Sequence, residues 1–193
     1  MDLTRIKQLR DITGASVADC NTALQSSGGD VKTALELLRK RGLEIAHKKS
    51  ARTTAEGAIV SYIHSNAKVG AMVMLKCETD FVARNADFLA LAKELAMQVA
   101  AMNPLYITPE SVPQEILDKE KEIEREKLNH ENKPENIINT ILEGKINKFF
   151  ELVVLIKQIY IKDNSKTIED LIREHIQKLG ENIEVAQCVR LEL

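Results

Sequence analysis

Aromatic residues and cysteines are scarce in this sequence of 193 residues. It has no Trp, and the aromatic residues together make up 4%, which argues against a stacking platform for single-stranded nucleic acid. The three cysteines, Cys20, Cys77 and Cys188, stand far apart, and the four histidines do not cluster. We therefore predict free thiols in a reducing compartment, without a zinc site or a disulfide framework.

The motifs of the common enzyme classes are also missing. The sequence contains no GxxxxGK[ST] phosphate loop, no GxGxxG, no GxSxG nucleophile elbow and no HExxH zinc motif, and each of these motifs serves a defined chemistry. No spacing of Ser, His and Asp singles out a catalytic triad. We therefore expect a protein that acts by binding and is not an enzyme, with no cofactor and no metal ion.

Signals for export and for membrane insertion are lacking as well. The first six residues do not form the apolar run of a signal peptide, and no window approaches the length of a membrane-spanning helix. The formal net charge of -2 argues against a strongly basic protein and leaves a local basic patch open. We expect a soluble cytoplasmic protein that contacts no membrane.

Residues 1–50 carry the pattern of a three-helix bundle. The first helix is predicted to be capped by Thr4 and the second by Ser16. Gly42 is predicted to end the third helix, directly after the cations Arg39 to Arg41. The residues that make these helices amphipathic are Leu3, Ile6, Leu9, Arg10 and Ile12 in the first, Val17, Cys20, Ala23 and Leu24 in the second, and Val31, Ala34, Leu35 and Leu38 in the third. Such a bundle resembles a ubiquitin-associated-type binding module or a helix-turn-helix, and the few basic residues before Arg39 argue against DNA reading.

A basic segment follows over residues 39–52. Its cations are Arg39, Lys40, Arg41, His47, Lys48, Lys49 and Arg52. The simpler interpretation is a solvated helix end. The alternative is a contact with the ribosome or with RNA.

A predicted β-hairpin opens the second domain, residues 51–193. Its strands cover residues 57–64 and 71–77, and the segment between them has turn composition. On the second strand Ala71, Val73, Leu75 and Cys77 share one face, so Cys77 is predicted to be a buried thiol. The fold class is thus predicted as α+β, a three-helix bundle followed by a core with a small antiparallel sheet, packed helices and a helical hairpin.

Helices dominate the rest of the predicted core. The helix after Asn85 is apolar on two sides, which predicts a central element. Its apolar residues are Phe88, Leu89, Leu91, Ala92, Leu95, Ala96, Met97, Val99, Ala100, Ala101 and Met102. A helical hairpin is predicted at about residues 115–151, with its break at Asn132-Lys133-Pro134. A strand near residues 159–161 and a helix over residues 167–179, ended by Gly180, follow.

The last segment, residues 183–193, alternates as a strand with one buried face. Residues 183, 185, 189, 191 and 193 are predicted to face the core, and residues 184, 186, 188, 190 and 192 to face solvent. Cys188 is therefore predicted on the polar face. The position at the end of the chain makes this strand a candidate edge strand.

The stretch Cys77 to Asn85 lies between the second strand and the long helix. It places an acid and a large aromatic residue, Asp80 and Phe81, side by side at a strand-to-helix junction. Rigidly held junctions of this kind often carry function. Local sequence leaves two interpretations open: Phe81 and Val82 belong to the core while Asp80 caps a helix, or the junction contacts a partner.

Taken together, these segments resemble the elongation factor Ts family over essentially the whole chain. The N-terminal match comprises Leu9-Arg10, Thr13-Gly14-Ala15, Asp19-Cys20, Ala23-Leu24, Gly29-Asp30, Ala34, Leu38-Arg39, Gly42 and Lys48-Lys49. The core match comprises Glu56-Gly57, Tyr62-Ile63-His64, Cys77 to Asn85, Met102-Asn103-Pro104, Lys133-Pro134, Glu143-Gly144-Lys145 and Gly180-Glu181-Asn182-Ile183. The most specific of these is Thr79-Asp80-Phe81-Val82.

The resemblance implies a guanine-nucleotide exchange factor for elongation factor Tu in protein synthesis. In the family, the N-terminal bundle grips the nucleotide-binding domain of the partner, and the loop corresponding to Thr79, Asp80, Phe81 and Val82 disturbs its magnesium site. The bundle residues that match the family's contact region are Arg10, Gly14, Val17, Ala18, Asp19 and Cys20. No direct contact with nucleic acid is implied.

The chain departs from the family pattern at three points. Val17-Ala18 stand where relatives often have Met-Met, and Asn132 stands where a Gly commonly precedes Lys-Pro. The core has sequence for one of the two similar halves found in longer relatives. Since short relatives act as homodimers, we expect a homodimer in which a second copy supplies the missing half. For Cys188, an intermolecular disulfide is one interpretation and a plain thiol the other.

Overall fold

Helices and small antiparallel sheets share the chain in the computed structural model, which describes residues 2–129 and 134–193. The helices are α1 (Leu3–Thr13), α2 (Val17–Ser26), α3 (Val31–Lys49), α4 (Asp80–Ala83), α5 (Ala86–Met102), α6 (Gln114–Asn129), α7 (Glu135–Val153) and α8 (Ile168–Leu179). The strands are β1 (Glu56–Ile63), β2 (Val69–Cys77), β3 (Ile159–Tyr160), β4 (Asp163–Thr167) and β5 (Ile183–Glu192). The predicted α+β class is confirmed.

The first three helices pack around a hydrophobic cluster of their own. Its buried members are Ile6, Leu9, Ala15, Cys20, Ala23, Leu24, Ala34 and Leu38. Leu3, Ile12 and Val17 lie outside this cluster and are 70%, 52% and 47% exposed. In α1 the reason is geometric, because the buried stripe follows Ile6, Leu9 and Thr13 and leaves the flanking positions in solvent.

Each helix of the bundle begins at a side chain that accepts a backbone N–H. Asp2 begins α1, where Thr4 was predicted, because its carboxylate accepts the N–H of Arg5 at 3.2 Å. Ser16 caps α2 as predicted, and Asp30 caps α3. These caps satisfy N–H groups that have no partner within the first turn of a helix.

Helix α3 continues through Gly42 to Lys49, so the prediction that Gly42 ends it is wrong. This glycine serves packing instead of capping. A Cβ at Gly42 would lie 2.9 Å from Oε1 of Gln177 in α8, so the glycine leaves room for the end of that side chain. One turn later, Ala46 belongs to the hydrophobic cluster of the core. The C-terminal half of α3 therefore packs on the second predicted domain.

A three-stranded antiparallel sheet in the order β1-β2-β5 forms the centre of the core. As predicted, one face of β2 is buried, with Ala71, Val73, Leu75 and Cys77 at 4% exposure or less. This inner face joins the buried residues of α5 and α8 in one cluster, which includes Phe88, Leu91, Leu95, Ile168 and Ile172. The apolar face of the strand, with every second residue, meets the apolar faces of the helices, which repeat every 3.6 residues, so the sheet and the helices bury each other.

The predicted facing of β5 is wrong beyond its first residues. The pairing with β2 shifts between Met74 and Leu75, opposite Gln187 and Val185, and an extra residue at such a bulge moves the following side chains to the other face. Cys188 therefore lies opposite Val73 on the core face, where it is half-buried and packs against the cluster. The apolar residues beyond the bulge, Val189 and Leu191, point outward.

Helix α5 is central, although its second apolar side is more open than predicted. Leu89 and Ala101 on this side are exposed, whereas Ala100 is buried, and Met102 at the end of the first apolar stripe is exposed as well. The helix ends at Asn103 in the left-handed conformation (φ 46°), as the Met102-Asn103-Pro104 sequence predicts. The outer side of α5 therefore faces solvent at these positions.

Helices α6 and α7 pack on each other as the predicted helical hairpin. The predicted break at Asn132 and Lys133 falls outside the described residues. A short antiparallel pair, β3 and β4, precedes α8, which ends at Gly180 in the left-handed conformation as predicted. Strand β4 was not predicted, because its sequence Asp163 to Thr167 is polar throughout. None of the helices in the described ranges is long and apolar enough to cross a membrane.

Candidate functional site

The junction between β2 and α5 forms a single helical turn, α4. Thr79 caps it, since its hydroxyl accepts the N–H of Val82 at 3.4 Å. Asn85 begins the next helix by accepting the N–H of Asp87 at 2.8 Å. Two successive caps six positions apart make the chain turn sharply, so the residues of α4 stand at the corner between sheet and helix.

Exposure divides the residues of α4 into an outer and an inner pair. Phe81 is 84% exposed and Asp80 is half-exposed, whereas Val82 packs against the core and Ala83 is buried. The interpretation of Phe81 as a core residue is therefore wrong. The inner pair anchors the turn, and the outer pair presents an aromatic ring beside a carboxylate.

The carboxylate of Asp80 forms one ion pair, with Nη2 of Arg84 at 3.2 Å. The Arg84 side chain is 82% exposed and that of Asp80 is 46% exposed. Exposed pairs of this kind contribute roughly 0–1 kcal/mol. Asp80 can therefore exchange this partner for another at small cost.

A carboxylate from another part of the chain holds the inner side of the turn. Glu181 lies just after α8, and its Oε2 accepts the N–H groups of Glu78 at 3.1 Å and Thr79 at 3.0 Å. Its Oε1 accepts the hydroxyl of Thr79 at 2.6 Å. Sequence reasoning assigned no function to Glu181, although it lies within the matched segment Gly180 to Ile183.

The predicted bundle residues form one surface around the turn between α1 and α2. Arg10, Val17 and Ala18 are exposed, and Gly14 is half-buried in the left-handed conformation with φ 66°. The other two support this surface from within the fold. Asp19 pairs with Nη2 of Arg41 at 2.7 Å, and Cys20 is completely buried.

Lys178 of α8 connects this surface to the helix that follows the turn. A Cβ at Gly14 would lie 3.2 Å from Cβ of Lys178, so the glycine allows close contact between the bundle and α8. The ammonium group of the same lysine lies 2.8 Å from Oδ1 of Asp87, in the first turn of α5. Both candidate surfaces are therefore attached to the C-terminal end of α8 and the residues after it.

Three of the seven cations of the basic segment 39–52 make contacts within the fold, whereas Arg39, Lys40, His47 and Lys48 are exposed. Arg41 pairs with Asp19, Arg52 lies 3.4 Å from Oε1 of Glu78, and Lys49 donates to the carbonyl of Gly180. Phosphate binding depends on several cations that are available together. The three internal contacts connect α3 and Arg52 to α2, Glu78 and Gly180, and the four exposed cations leave the RNA interpretation open.

The three cysteines are free thiols. Burial raises the pKa of Cys77 to about 11, and burial also raises the pKa of the Cys20 and Cys188 thiols. Reactive thiols usually have a lowered pKa, so these side chains serve packing. Among residues 2–129 and 134–193, no group of three His, Cys, Asp or Glu side chains could hold a metal ion.

The outer face of the sheet is apolar and open. Its large side chains are Ile59, Ile63, Met72, Val189 and Leu191, with exposures of 60%, 65%, 51%, 46% and 73%. The strand register puts all five on one face, because Met72 lies opposite Val189 and Gly70 lies opposite both Ile63 and Leu191. Contiguous apolar surface of this kind is uncommon on monomers and usually marks an interface.

Comparison with known proteins gives matches over the whole chain. The sequence model described as Elongation factor TS matches residues 6–193. The chain is 52% identical over 193 residues to Elongation factor Ts of Thermotoga petrophila, covering 100% of this chain and 95% of that protein. It is 51% identical over 193 residues to the Thermotoga maritima protein of the same name, with the same coverage. The protein of that name from Thermodesulfovibrio yellowstonii is 50% identical over 188 residues, covering 97% of this chain and 94% of that protein.

Proposed function

Because the chain belongs to the elongation factor Ts family and so has a role in translation elongation, we propose that it is the guanine-nucleotide exchange factor of elongation factor Tu. The observation that carries the proposal is the presentation of Phe81. The Phe81 side chain is 84% exposed beside a carboxylate. A large aromatic side chain gains free energy when a partner covers it, so its exposure here indicates a contact surface. The factor promotes release of GDP and then lets GTP bind.

In this proposal the outer residues of α4 act on the partner in two ways. Phe81 enters an apolar pocket of the nucleotide-binding domain and anchors the turn there, contributing about 1.5–3 kcal/mol. Asp80 leaves Arg84 and competes for the hydrogen-bond donors and waters around the magnesium ion of the partner. Magnesium requires nearly ideal octahedral geometry and oxygen ligands, so displacement of one of its neighbours weakens nucleotide binding.

The bundle supplies the second contact. Arg10, Gly14, Val17 and Ala18 line the surface that grips the nucleotide-binding domain, and Asp19 fixes the start of α2 through its pair with Arg41. Val17 and Ala18 are smaller than methionines, so this contact buries less apolar area than a Met-Met pair would.

Exchange of this kind requires no bond-making by the factor. Suppose that a protein binds the nucleotide-free partner more tightly than the nucleotide-bound partner by a certain ratio. It then weakens nucleotide binding by the same ratio, because the coupling between two binding sites is reciprocal. The proposed activity therefore needs a rigid, well-presented surface and no catalytic group. The factor would act in the cytoplasm, and its three free thiols fit a reducing compartment.

The test is release of a fluorescent GDP analogue from elongation factor Tu, with and without the factor. We expect micromolar factor to accelerate release, and the double variant Asp80→Ala/Phe81→Ala to lower this acceleration by roughly tenfold or more. The matched control is Glu151→Ala/Leu152→Ala, an adjacent acid and apolar residue that are exposed on α7. Wild-type factor that leaves the release rate unchanged would refute the function, and a double variant as active as wild type would refute the wedge.

We also propose that two copies of the chain associate through the outer face of the sheet. Two apolar sheets can stack about 10 Å apart with interdigitating side chains, and the five exposed residues of this face supply the required surface. Cys188 lies on the opposite, core face of β5, so the proposed interface holds without an intermolecular disulfide.

Met72→Lys tests the dimer, because Met72 lies on the middle strand of this face. In sedimentation at micromolar concentration we expect the wild-type chain at twice its 21.6 kDa and the variant at the monomer mass. Leu152→Lys, at another exposed apolar position, is the control and should stay dimeric. A wild-type chain that sediments only as a monomer rejects the proposal.

A further inference from the structure

We propose that Glu181 is a positioning residue for exchange: it holds the start of α4 so that Phe81 and Asp80 meet the partner in a fixed orientation. The inference rests on the proposed function of α4. The hydrogen bonds of the Glu181 carboxylate go to Glu78 and Thr79 and not to the side chains of Phe81 and Asp80. It acts on the outer residues through the backbone of the turn.

The geometry explains why a carboxylate is needed at this point. Where β2 ends, the N–H groups of Glu78 and Thr79 have left the sheet and have not entered the helix, so both need an acceptor. Glu181 accepts both with one oxygen and the Thr79 hydroxyl with the other. Hydrogen bonds to an ionised acceptor are shorter and stronger than those between neutral groups. The same hydroxyl caps α4, so Glu181 orients the cap itself.

The contact is reciprocal, which distinguishes it from a chance surface pairing. Oε1 of Glu78 accepts the N–H of Asn182 at 2.7 Å, and Nδ2 of Asn182 donates to the carbonyl of Arg52 at 3.0 Å. Gly180, in the left-handed conformation with φ 78°, turns the chain out of α8 so that Glu181 can reach the turn. The segment after α8 is therefore itself held in place by Glu78 and Arg52, which positions Glu181 against the turn.

This arrangement predicts a separable kinetic effect. The bundle surface is unchanged when Glu181 is replaced, so binding of the factor should persist, whereas a loosened turn must be ordered at each encounter. We expect Glu181→Ala to lower the maximal rate of GDP release by about tenfold, equivalent to about 1.4 kcal/mol. The factor concentration that gives half-maximal rate should change by less than about twofold, roughly the resolution of such titrations.

Glu181→Gln is the conservative variant. Its amide oxygen can still accept both N–H groups, so it should retain most of the maximal rate, and Glu181→Asp, shorter by one methylene, should lie between Gln and Ala. Glu151→Ala, which removes an exposed carboxylate on α7, is the control and should match wild type. Hydrogen exchange of the Glu78 and Thr79 amides should be faster in Glu181→Ala and close to wild type in Glu181→Gln.

The outcomes separate this inference from the proposed function. If Asp80→Ala/Phe81→Ala exchanges slowly and Glu181→Ala matches wild type, the inference is overturned and the function stands. If Asp80→Ala/Phe81→Ala matches wild type, the function of the turn fails and the inference fails with it. A Glu181→Ala variant that changes the rate and the half-maximal concentration together, with a lowered unfolding midpoint, also overturns positioning. Glu181→Ala should add little in the Asp80→Ala/Phe81→Ala background, because it acts through that turn.

Discussion

Phe81→Ala is the sharpest single perturbation, because the structure predicts a large effect on exchange and almost none on stability. Phe81 is 84% exposed, whereas Phe88, on the next helix, is completely buried. Truncation of an exposed side chain usually changes the free energy of unfolding by about 0.5 kcal/mol or less. Truncation of a buried Phe costs about 3–5 kcal/mol. Phe88→Ala is therefore the matched comparison.

The expected effect on exchange follows from the exposed fraction. Complete burial of a Phe side chain contributes about 1.5–3 kcal/mol. Since 84% of Phe81 is exposed in the factor, about 1.3–2.5 kcal/mol remains to be gained when the partner covers it. If that contact forms in the state that releases nucleotide, Phe81→Ala lowers the rate constant for GDP release by roughly ten- to seventyfold.

Two measurements decide the matter. Stopped-flow release of a fluorescent GDP analogue gives the rate constant, and denaturant unfolding of the factor alone gives the stability. We expect Phe81→Ala to be slow in exchange and as stable as wild type, and Phe88→Ala to be strongly destabilised. A Phe81→Ala variant that exchanges at the wild-type rate refutes the contact. One that loses more than about 2 kcal/mol of stability shows that Phe81 packs within the factor.

Two further predictions concern the connections that hold the site. The hydrogen bond from the N–H of Asn182 lowers the pKa of Glu78 below its ordinary value of 4.5. The ionised form of Glu78 therefore stabilises the fold above pH 4.5, and this contribution is lost as the pH falls through the lowered pKa. We expect the acid unfolding of Glu78→Gln to depend less steeply on pH than that of wild type. Gly57→Ala should reduce the free energy of unfolding by about 1–3 kcal/mol, because a Cβ at Gly57 would overlap the backbone carbonyl oxygen of Leu75 on β2, whereas the same substitution at Gly144, where a Cβ would meet nothing within 4 Å, should be tolerated.

The local sequence pattern was sufficient to predict elements whose structure depends only on residues nearby in the chain. The alternation of Ala71, Val73, Leu75 and Cys77 predicts the buried face of β2, because a strand in a sheet has only two faces. Ser16 and Gly180 mark a helix start and a helix end, since each satisfies backbone groups that the helix cannot satisfy itself. These predictions depend on neighbours along the chain and are confirmed.

Predictions were wrong where a distant segment decides the outcome. Gly42 has the sequence context of a helix end, yet α3 continues through it to Lys49 and packs on α8. The alternation of β5 is regular in sequence, yet the bulge against β2 reverses the facing of Cys188 and Val189. A one-residue register shift leaves no mark in the composition of a strand.

The candidate site has the same division between local and distant causes. Thr79 to Val82 could be found from the junction and from the family resemblance, but which side chain points outward could not, because Phe81 and Val82 are both apolar. Glu181 was invisible as a site residue, since its partners precede it by about a hundred positions. A search for acids directly after a Gly-terminated helix would have identified it as a candidate acceptor.

The two proposed contact surfaces are connected through a short part of the chain, and this has a consequence for mechanism. Lys178 lies so close to Gly14 of the bundle that a Cβ there would be 3.2 Å away, and it pairs with Asp87 of α5. Three residues later, Glu181 accepts the hydroxyl of Thr79. In the proposed function, binding by the bundle would therefore leave the turn little freedom to relax away from the partner. With a rigid connection, favourable binding by the bundle can offset the cost of displacing the groups around the magnesium ion of the partner. With a flexible connection, the bundle could bind while those groups stayed in place.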